Sequence, residues 1–266
     1  MKILTLNSYS LVEEDYEDKL KIFVDEIIKE KPDIIALQEV NQFSKDDVAD
    51  PGKSYVSCEL SVEDVRESNH ALRAARMLKE KGLIYHWTWL GMKVAWMGRL
   101  EGLSFLSLAP IEETDSILLS DTDDINNWRK RMSLGIKTND MWFYNVHMGW
   151  WNDEEEPFRP QWQKLCAHVK DRGKVWIMGD FNTPANVVSE GYCLVKESGY
   201  FDSYELAKEK DDGITVPGKI VGWGEDSGAK RIDYIWSNYP EEVKSSKVMF
   251  KDGKKVSDHF GVMIEI

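Results

Sequence analysis

Val175-Trp176-Ile177-Met178-Gly179-Asp180-Phe181-Asn182-Thr183-Pro184 is the stretch on which the fold turns. Its first four residues are a continuous apolar run, the pattern of a strand buried on both faces. Gly179 then allows a sharp backbone turn. Asp180 and Asn182 stand two residues apart, so an extended chain points both to one side. A carboxylate can orient or deprotonate water, and an amide can donate to a phosphoryl oxygen. An Asx turn after a strand explains the same residues more plainly, so the decision rests on what surrounds them.

Five further polar motifs close or border strand-like apolar runs: Leu6-Asn7, Gln38-Glu39, Asn145-Val146-His147, Arg231-Ile232-Asp233-Tyr234 and Ser257-Asp258-His259. Carboxylates, amides and two histidines at strand ends suit a site that holds a hard divalent cation and hydrolyses a phosphate ester. Asp233 can orient His259 through its imidazole N–H; a strand ion pair between Asp233 and Arg231 is the alternative. His147 is a second site histidine or a satisfied core histidine.

The runs between these motifs read as alternating elements. Residues 2–7 are a strand. Tyr16 to Lys31 is an amphipathic helix, with Leu20, Phe23, Val24, Ile27 and Ile28 on one face, stopped by Pro32. Residues 33–37 are a buried strand ending at Glu39. Residues 43–65 are irregular, and a helix over 67–81 ends at Gly82. Strands are predicted over 84–90, 103–108, 132–138, 141–147, 175–178, 231–236, 246–251 and 260–266, with helices over 161–170 and 189–198. No linker or repeat interrupts the 266 residues, so one domain of two packed sheets with outer helices is expected over 1–266.

A formal net charge of −13 argues against broad, salt-driven DNA binding without excluding a local basic pocket. Arg129-Lys130-Arg131 is the one dense basic triplet, and Asp121, Asp123 and Asp124 offset it. Three separated cysteines fit reduced thiols. No apolar run approaches the roughly 20 residues of a membrane span, and the N-terminal run is too short for a signal-peptide core. A cytoplasmic protein without a membrane span is the expectation.

In this order the motifs resemble the endonuclease/exonuclease/phosphatase superfamily over nearly the whole chain. That superfamily includes DNase I-like nucleases, exonuclease III-like repair enzymes, inositol polyphosphate 5-phosphatases, sphingomyelinases and deadenylases. Gly179–Asn182 and Ser257–His259 are the most specific pieces. The resemblance implies an α/β four-layer sandwich: two central mixed or antiparallel sheets packed face to face, with helices on both outer sides. It implies Mg²⁺, with Mn²⁺ as a substitute. Glu39 matches the metal-binding glutamate, Asn7 its supporting asparagine, and Asp258 the last acid. Asp180 matches the water-activating aspartate, Asn182 the phosphate-steadying asparagine, and Asp233 with His259 the aspartate–histidine pair. His147 matches the histidine of DNase I and the sphingomyelinases. Either Asp180 or His259 is left as the base.

Other residues bear on the substrate. Trp150 and Trp151 follow His147 and either wall a substrate pocket or form a plug against a neighbouring helix; Trp223 gives a Gly- and Pro-containing loop a contact surface for substrate. Arg231 is a candidate phosphate partner. Residues 86–98 are rich in Trp and Met, and Glu101-Gly102 follows them as in non-repair bacterial members. His70, beside Asn69, either faces this aromatic region or is an exposed helix histidine. The expected substrate is a small or lipid-like phosphodiester or phosphomonoester. A DNase I-like or exonuclease III-like nuclease and a non-catalytic binding module are the alternatives, and nucleic acid is disfavoured as a partner.

Overall fold

The computed structural model describes residues 1–220, 223 and 228–266. Among these, one sheet holds β1 (Lys2–Asn7), β2 (Ile34–Phe43), β3 (His86–Ala95), β4 (Arg99–Ser107), β10 (Glu209–Lys210), β12 (Ser245–Met249) and β13 (Gly261–Glu265). Its order is β10-β12-β13-β1-β2-β4-β3. The second sheet holds β5 (Glu113–Leu118), β6 (Met132–Thr138), β7 (Met141–His147), β8 (Val175–Asp180), β9 (Phe201–Asp202) and β11 (Asp233–Ser237). Its order is β5-β6-β7-β8-β11-β9. Both sheets are mixed: β1 and β2 run parallel, as do β7 and β8, within otherwise largely antiparallel neighbours.

The continuous apolar runs are strands buried on both faces, and alternate residues enter different layers. Ile3, Ile34 and Ala36 meet Leu134, Ile136, Phe143, Trp176, Met178 and Ile235 between the sheets. Leu4, Leu6, Ile35 and Leu37 point the other way, onto Leu20, Phe23, Val24 and Ile27 of α1 (Tyr16–Glu30) and onto α2 (His70–Glu80). Val175 and Ile177 pack on Trp162 and Leu165 of α3 (Phe158–Val169) and on Val195 of α4 (Gly191–Glu197). Three apolar layers therefore separate four structural ones, the sandwich that the motifs implied. A short α5 (Ser203–Leu206) follows β9. No helix among the described residues is long and apolar enough to cross a membrane.

Several expectations shift. The strand that leads to Glu39 does not end there but runs on to Phe43. Its pairing with β4 slips between Leu37 and Val40, and Glu39 takes a left-handed φ of 51°. Such a bulge re-aims a side chain without ending the strand. The helix expected from residue 67 begins at His70, because the Asn69 side chain caps the amides of Ala71 and Leu72. Strand β5 is absent from the sequence reading. It is an edge strand of partly exposed, mainly polar residues and carries no buried-strand pattern.

Candidate active site

Register gathers the site. The parallel pair β7–β8 sets His147 opposite Asp180, and the antiparallel pair β8–β11 sets Asp180 opposite Asp233. Gly179 lets β7 and β8 close at this point. It has φ 141°, and a Cβ there would lie 1.9 Å from the Val146 carbonyl oxygen. In the other sheet, Asn7 lies opposite Gln38 at the matching end. Gln38 and Asn145 fasten the two sheets together: Gln38 Nε2 donates to Asn145 Oδ1 at 2.6 Å. Asn145 Nδ2 donates to the carbonyls of Leu37 and Ser104.

Asp180 is the hub. Its Oδ1 accepts from the Asn182 amide N–H at 2.9 Å, and its Oδ2 accepts from Asn7 Nδ2 at 3.1 Å. The imidazole Nε2 atoms of His147 and His259 approach the same Oδ2 to 3.6 and 3.8 Å. His259 Nδ1 pairs with Asp233 Oδ2 at 3.0 Å, so the aspartate–histidine pair is formed and the Arg231 alternative for Asp233 is not. Asn182 Nδ2 donates to the Met148 carbonyl, and Asn7 Nδ2 also donates to Glu39 Oε1 at 2.9 Å. The Ser257 hydroxyl donates to the Asn7 carbonyl, binding the Ser257–His259 turn to β1.

Burial concentrates these charges. Asp180 is pushed up to about 7, first by desolvation and then by the Asp233 carboxylate. Glu39 is pushed up to about 8 by burial, then by Glu101 and Asp258. Burial alone would lower His259, but the charge and hydrogen bond of Asp233, with Asp180 behind them, hold it up to about 10. His147 is driven well below its ordinary value by burial and by the cations Arg131 and Lys93, and is neutral. His259 and Asp180 thus form an imidazolium facing a carboxyl poised near neutral pH.

Among the described residues, Asp180, Asp233 and His259 are the one group of three acidic or imidazole side chains whose ligand atoms all lie within 4.8 Å of each other. Glu39, Asn7 and Asp258 flank this group, with Asn7 bridging Glu39 and Asp180. This neighbourhood fits a hard cation. Its carboxylate oxygens are hard donors, and a bound divalent ion would offset the burial and the Glu101 and Asp258 charges that raise Glu39.

Beside Asn182 a cleft of about 490 Å³ is walled by Trp128, Trp150, Trp151 and Trp223. The three tryptophans singled out from sequence therefore share one wall; Val221 and Gly222 of the same loop lie outside the described residues. Arg231 does not join them. Its guanidinium donates to Asp202 Oδ2 at 2.7 Å and lies over the rings of Tyr192, Tyr204 and Tyr234. Paired with a buried carboxylate, it is committed to the fold and is corrected here as a phosphate partner. His70 is neither exposed nor at the aromatic region. It is buried behind β1, with Nδ1 bonded to the Tyr16 hydroxyl at 3.0 Å.

The sequence profile of the Endonuclease/Exonuclease/phosphatase family matches residues 4–259. The chain belongs to this family. An endonuclease/exonuclease/phosphatase family protein from Leptotrichia buccalis superposes with a TM-score of 0.87 and is 31% identical. That match covers 100% of this chain and 99% of the other. A mannosyl-6-phosphatase of Bacteroides thetaiotaomicron, 17% identical, gives a TM-score of 0.62 over 100% of this chain and 98% of its own. A 3′ phosphatase from Neisseria bound to a product DNA hairpin, also 17% identical, gives 0.66 over 100% and 99%. At such identities the last two share the fold alone. No curated protein matches the sequence.

This family member carries charges that sequence reading passed over. Lys93 and Arg131 are buried beside His147, and Lys93 Nζ lies 3.1 Å from Glu101 Oε1. Both cations also donate to the Trp128 carbonyl. Arg131 belongs to the basic triplet that counted as offset by nearby acids, yet it is Arg129 that meets acids, Asp153 and Glu155. A signal was available for Lys93. A lysine inside a Trp- and Met-rich strand is expensive to bury without partners.

Proposed function

We propose that the chain is a divalent-metal-dependent phosphoesterase acting on a small-molecule or lipid-like ester rather than on DNA. Family membership supports phosphate-ester hydrolysis in general; the site residues support this narrower reading. The observation that carries it is the convergence on the Asp180 carboxylate of Asn7, the Asn182 backbone, His147 and the Asp233–His259 pair.

In this reading Asp180 orients the attacking water and takes its proton, since His259 already carries one. Water adds to phosphorus in line, the P–O bond to the organic group breaks, the leaving oxygen takes a proton from solvent, and the products are an alcohol and a phosphate. The His259 imidazolium, kept charged by Asp233, and the Asn182 and neutral His147 side chains face the negative charge growing on the phosphoryl oxygens. Lys93 and Arg131 add positive potential from beneath. Glu39, Asn7 and Asp258 would hold Mg²⁺ or Mn²⁺, which supplies Lewis-acid polarisation of the phosphate when bound. No covalent enzyme intermediate is needed.

The test is hydrolysis of bis-p-nitrophenyl phosphate, p-nitrophenyl phosphate and plasmid DNA in Mg²⁺, Mn²⁺ or EDTA, beside Asp180→Asn. Metal-dependent cleavage of the chromogenic esters without nicking is expected, with a loss of about 10³-fold or more in the variant. Plasmid nicking that vanishes in Asp180→Asn would move the chain to the nuclease reading. Turnover equal in EDTA and Mg²⁺ would sink the metal assignment.

A further inference from the structure

Glu39 has a strained backbone, and the side chains that hold it there have no part in the chemistry described so far. Its φ of 51° is left-handed, a region that residues other than glycine seldom occupy. Ser10, bonded to its carbonyl, and Tyr9 before it are left-handed too, at φ 36° and 47°. Such conformations persist only where the surroundings over-determine them, and they gather at functional sites. We infer that Ser10 and Asn41 are positioning residues: they clamp the Glu39 carbonyl, keep the β2 bulge formed and so pre-set the Glu39 carboxylate for a divalent ion. The inference rests on the metal-dependent reading above and adds to it two residues that are not themselves ligands.

The bulge sets Gln38 and Glu39 against the single Leu103 of β4, which locally disrupts the ladder. Side chains serve the carbonyls instead. Ser10 Oγ donates to the Glu39 carbonyl at 2.7 Å and Asn41 Nδ2 at 2.9 Å, with Ser8 Oγ further off at 3.4 Å. The Ser10 oxygen also accepts from the Asn41 backbone amide at 3.0 Å and from Asn41 Nδ2 at 3.1 Å. Its one donor and both lone pairs are therefore used. On either side, Ser8 Oγ donates to the Gln38 carbonyl at 2.8 Å and Trp89 Nε1 to the Val40 carbonyl at 3.2 Å. The Glu101-Gly102 motif finds a use here, since a Cβ at Gly102 would lie 2.6 Å from that indole nitrogen. Ser10 and Asn41 are almost fully buried, and among the described residues their side chains bond to this stretch alone. With the clamp in place, Glu39 Oε1 meets Asn7 Nδ2 at 2.9 Å. Without it, residue 39 relaxes toward extended backbone, and the loss of the extra residue turns its carboxylate to the other face of the strand. The clamp thus sets how many molecules are competent, not what a competent molecule does. Were about a tenth of them to keep the bulge, apparent metal affinity would fall about 10-fold, and saturating metal would gather the rest back.

The experiment titrates Mn²⁺ calorimetrically into the parent, Ser10→Gly, Asn41→Ala, Glu39→Gln and Tyr16→Phe, with each metal-free thermal midpoint measured alongside. Glycine suits the left-handed φ at position 10, so Ser10→Gly removes the hydroxyl at little backbone cost. Its midpoint should fall by about 2–4 °C, as should that of Tyr16→Phe, whose hydroxyl serves His70 outside the site. Mn²⁺ affinity should fall about 10-fold in Ser10→Gly and stay at the parent value in Tyr16→Phe. Asn41→Ala should weaken Mn²⁺ binding in the same direction, and carries the test if Ser10→Gly does not fold. The Mg²⁺ concentration that half-saturates hydrolysis of the chromogenic ester should rise about 10-fold in Ser10→Gly, while kcat at saturating Mg²⁺ stays within about 3-fold of the parent. Parent-like Mn²⁺ affinity in Ser10→Gly and Asn41→Ala would overturn the clamp. An equal loss in Tyr16→Phe would do the same, by making the effect one of general stability, as would a kcat that no Mg²⁺ concentration restores. Glu39→Gln binding Mn²⁺ as tightly as the parent, or a parent that binds none, would instead remove the metal reading on which the clamp depends.

Discussion

Two histidines are enclosed almost equally, His70 at 4% and His259 at 3% exposure, and they end in opposite protonation states. His70 has only the Tyr16 hydroxyl on Nδ1, and its Nε2 finds no partner among the described residues. Burial, with the Arg73 charge behind it, lowers it to about 3. His259 has Asp233 on one nitrogen and Asp180 near the other, and is raised to about 10. Depth alone therefore does not set a buried imidazole's charge. A carboxylate in hydrogen-bond reach overrides desolvation, and its absence lets desolvation win. One region spends its burial on a neutral, supporting contact. The other holds a charge where a phosphate is expected.

Asp233→Asn should abolish the contrast and have the largest effect. Turnover of a chromogenic ester should fall about 10²- to 10⁴-fold, and the His259 imidazole should titrate well below about 10 by NMR. An imidazole that stays charged in this variant would show that Asp180 and Asp258 suffice, and would break the comparison at its root.

The two histidines should also tilt stability in opposite directions with pH. Both start from 6.5 in the unfolded chain. His70 is depressed when folded, so the unfolded chain takes the proton first. Its contribution is present above pH 6.5 and lost as pH falls toward about 3. His259 is raised when folded, so its contribution is complete below pH 6.5 and lost as pH rises through about 10. Each slope approaches about 1.4 kcal/mol per pH unit inside its own window. Urea unfolding without metal at pH 5 and 7 should be less pH-dependent in His70→Gln than in the parent. An unchanged slope would mean that His70 is not the acid-side group.

Smaller effects sharpen the same contrast. Tyr16→Phe should cost about 1 kcal/mol of stability and leave turnover intact, because Tyr16 supports a histidine outside the site. Glu39→Gln should do the reverse. Ester hydrolysis should collapse, while the metal-free thermal midpoint rises by about 2–4 °C, since one of several crowded carboxylates is gone. A lowered midpoint would show that Glu39 is held by favourable contacts rather than against repulsion.

The sandwich was legible because its central strands are buried on both faces, and Ile34–Leu37 and Val175–Met178 announce this as unbroken apolar runs. The polar motifs were legible because short strands fix where their ends fall. What escaped depended on partners distant in sequence. Arg231 reads as an available cation until Asp202 is brought beside it by β9 and β11. His70 reads as a helix-surface residue until α1 covers it. Glu39 reads as a strand end because a bulge leaves no residue signature of its own. Strand β5 lies at an edge, where alternation is weak and half of its hydrogen bonds need no partner.

The Gln38–Asn145 link has a consequence for how rate and stability respond to change. Asn7 and Glu39 belong to one sheet, His147, Asp180 and Asp233 to the other, and the link ties them at a single spacing. The apolar filling between the sheets, Ala36 and Met178 among it, therefore acts as a gauge block for the reacting groups. A methyl group added or removed there changes the gap across which they must meet. Wear in that block should register as lost speed before it registers as lost structure.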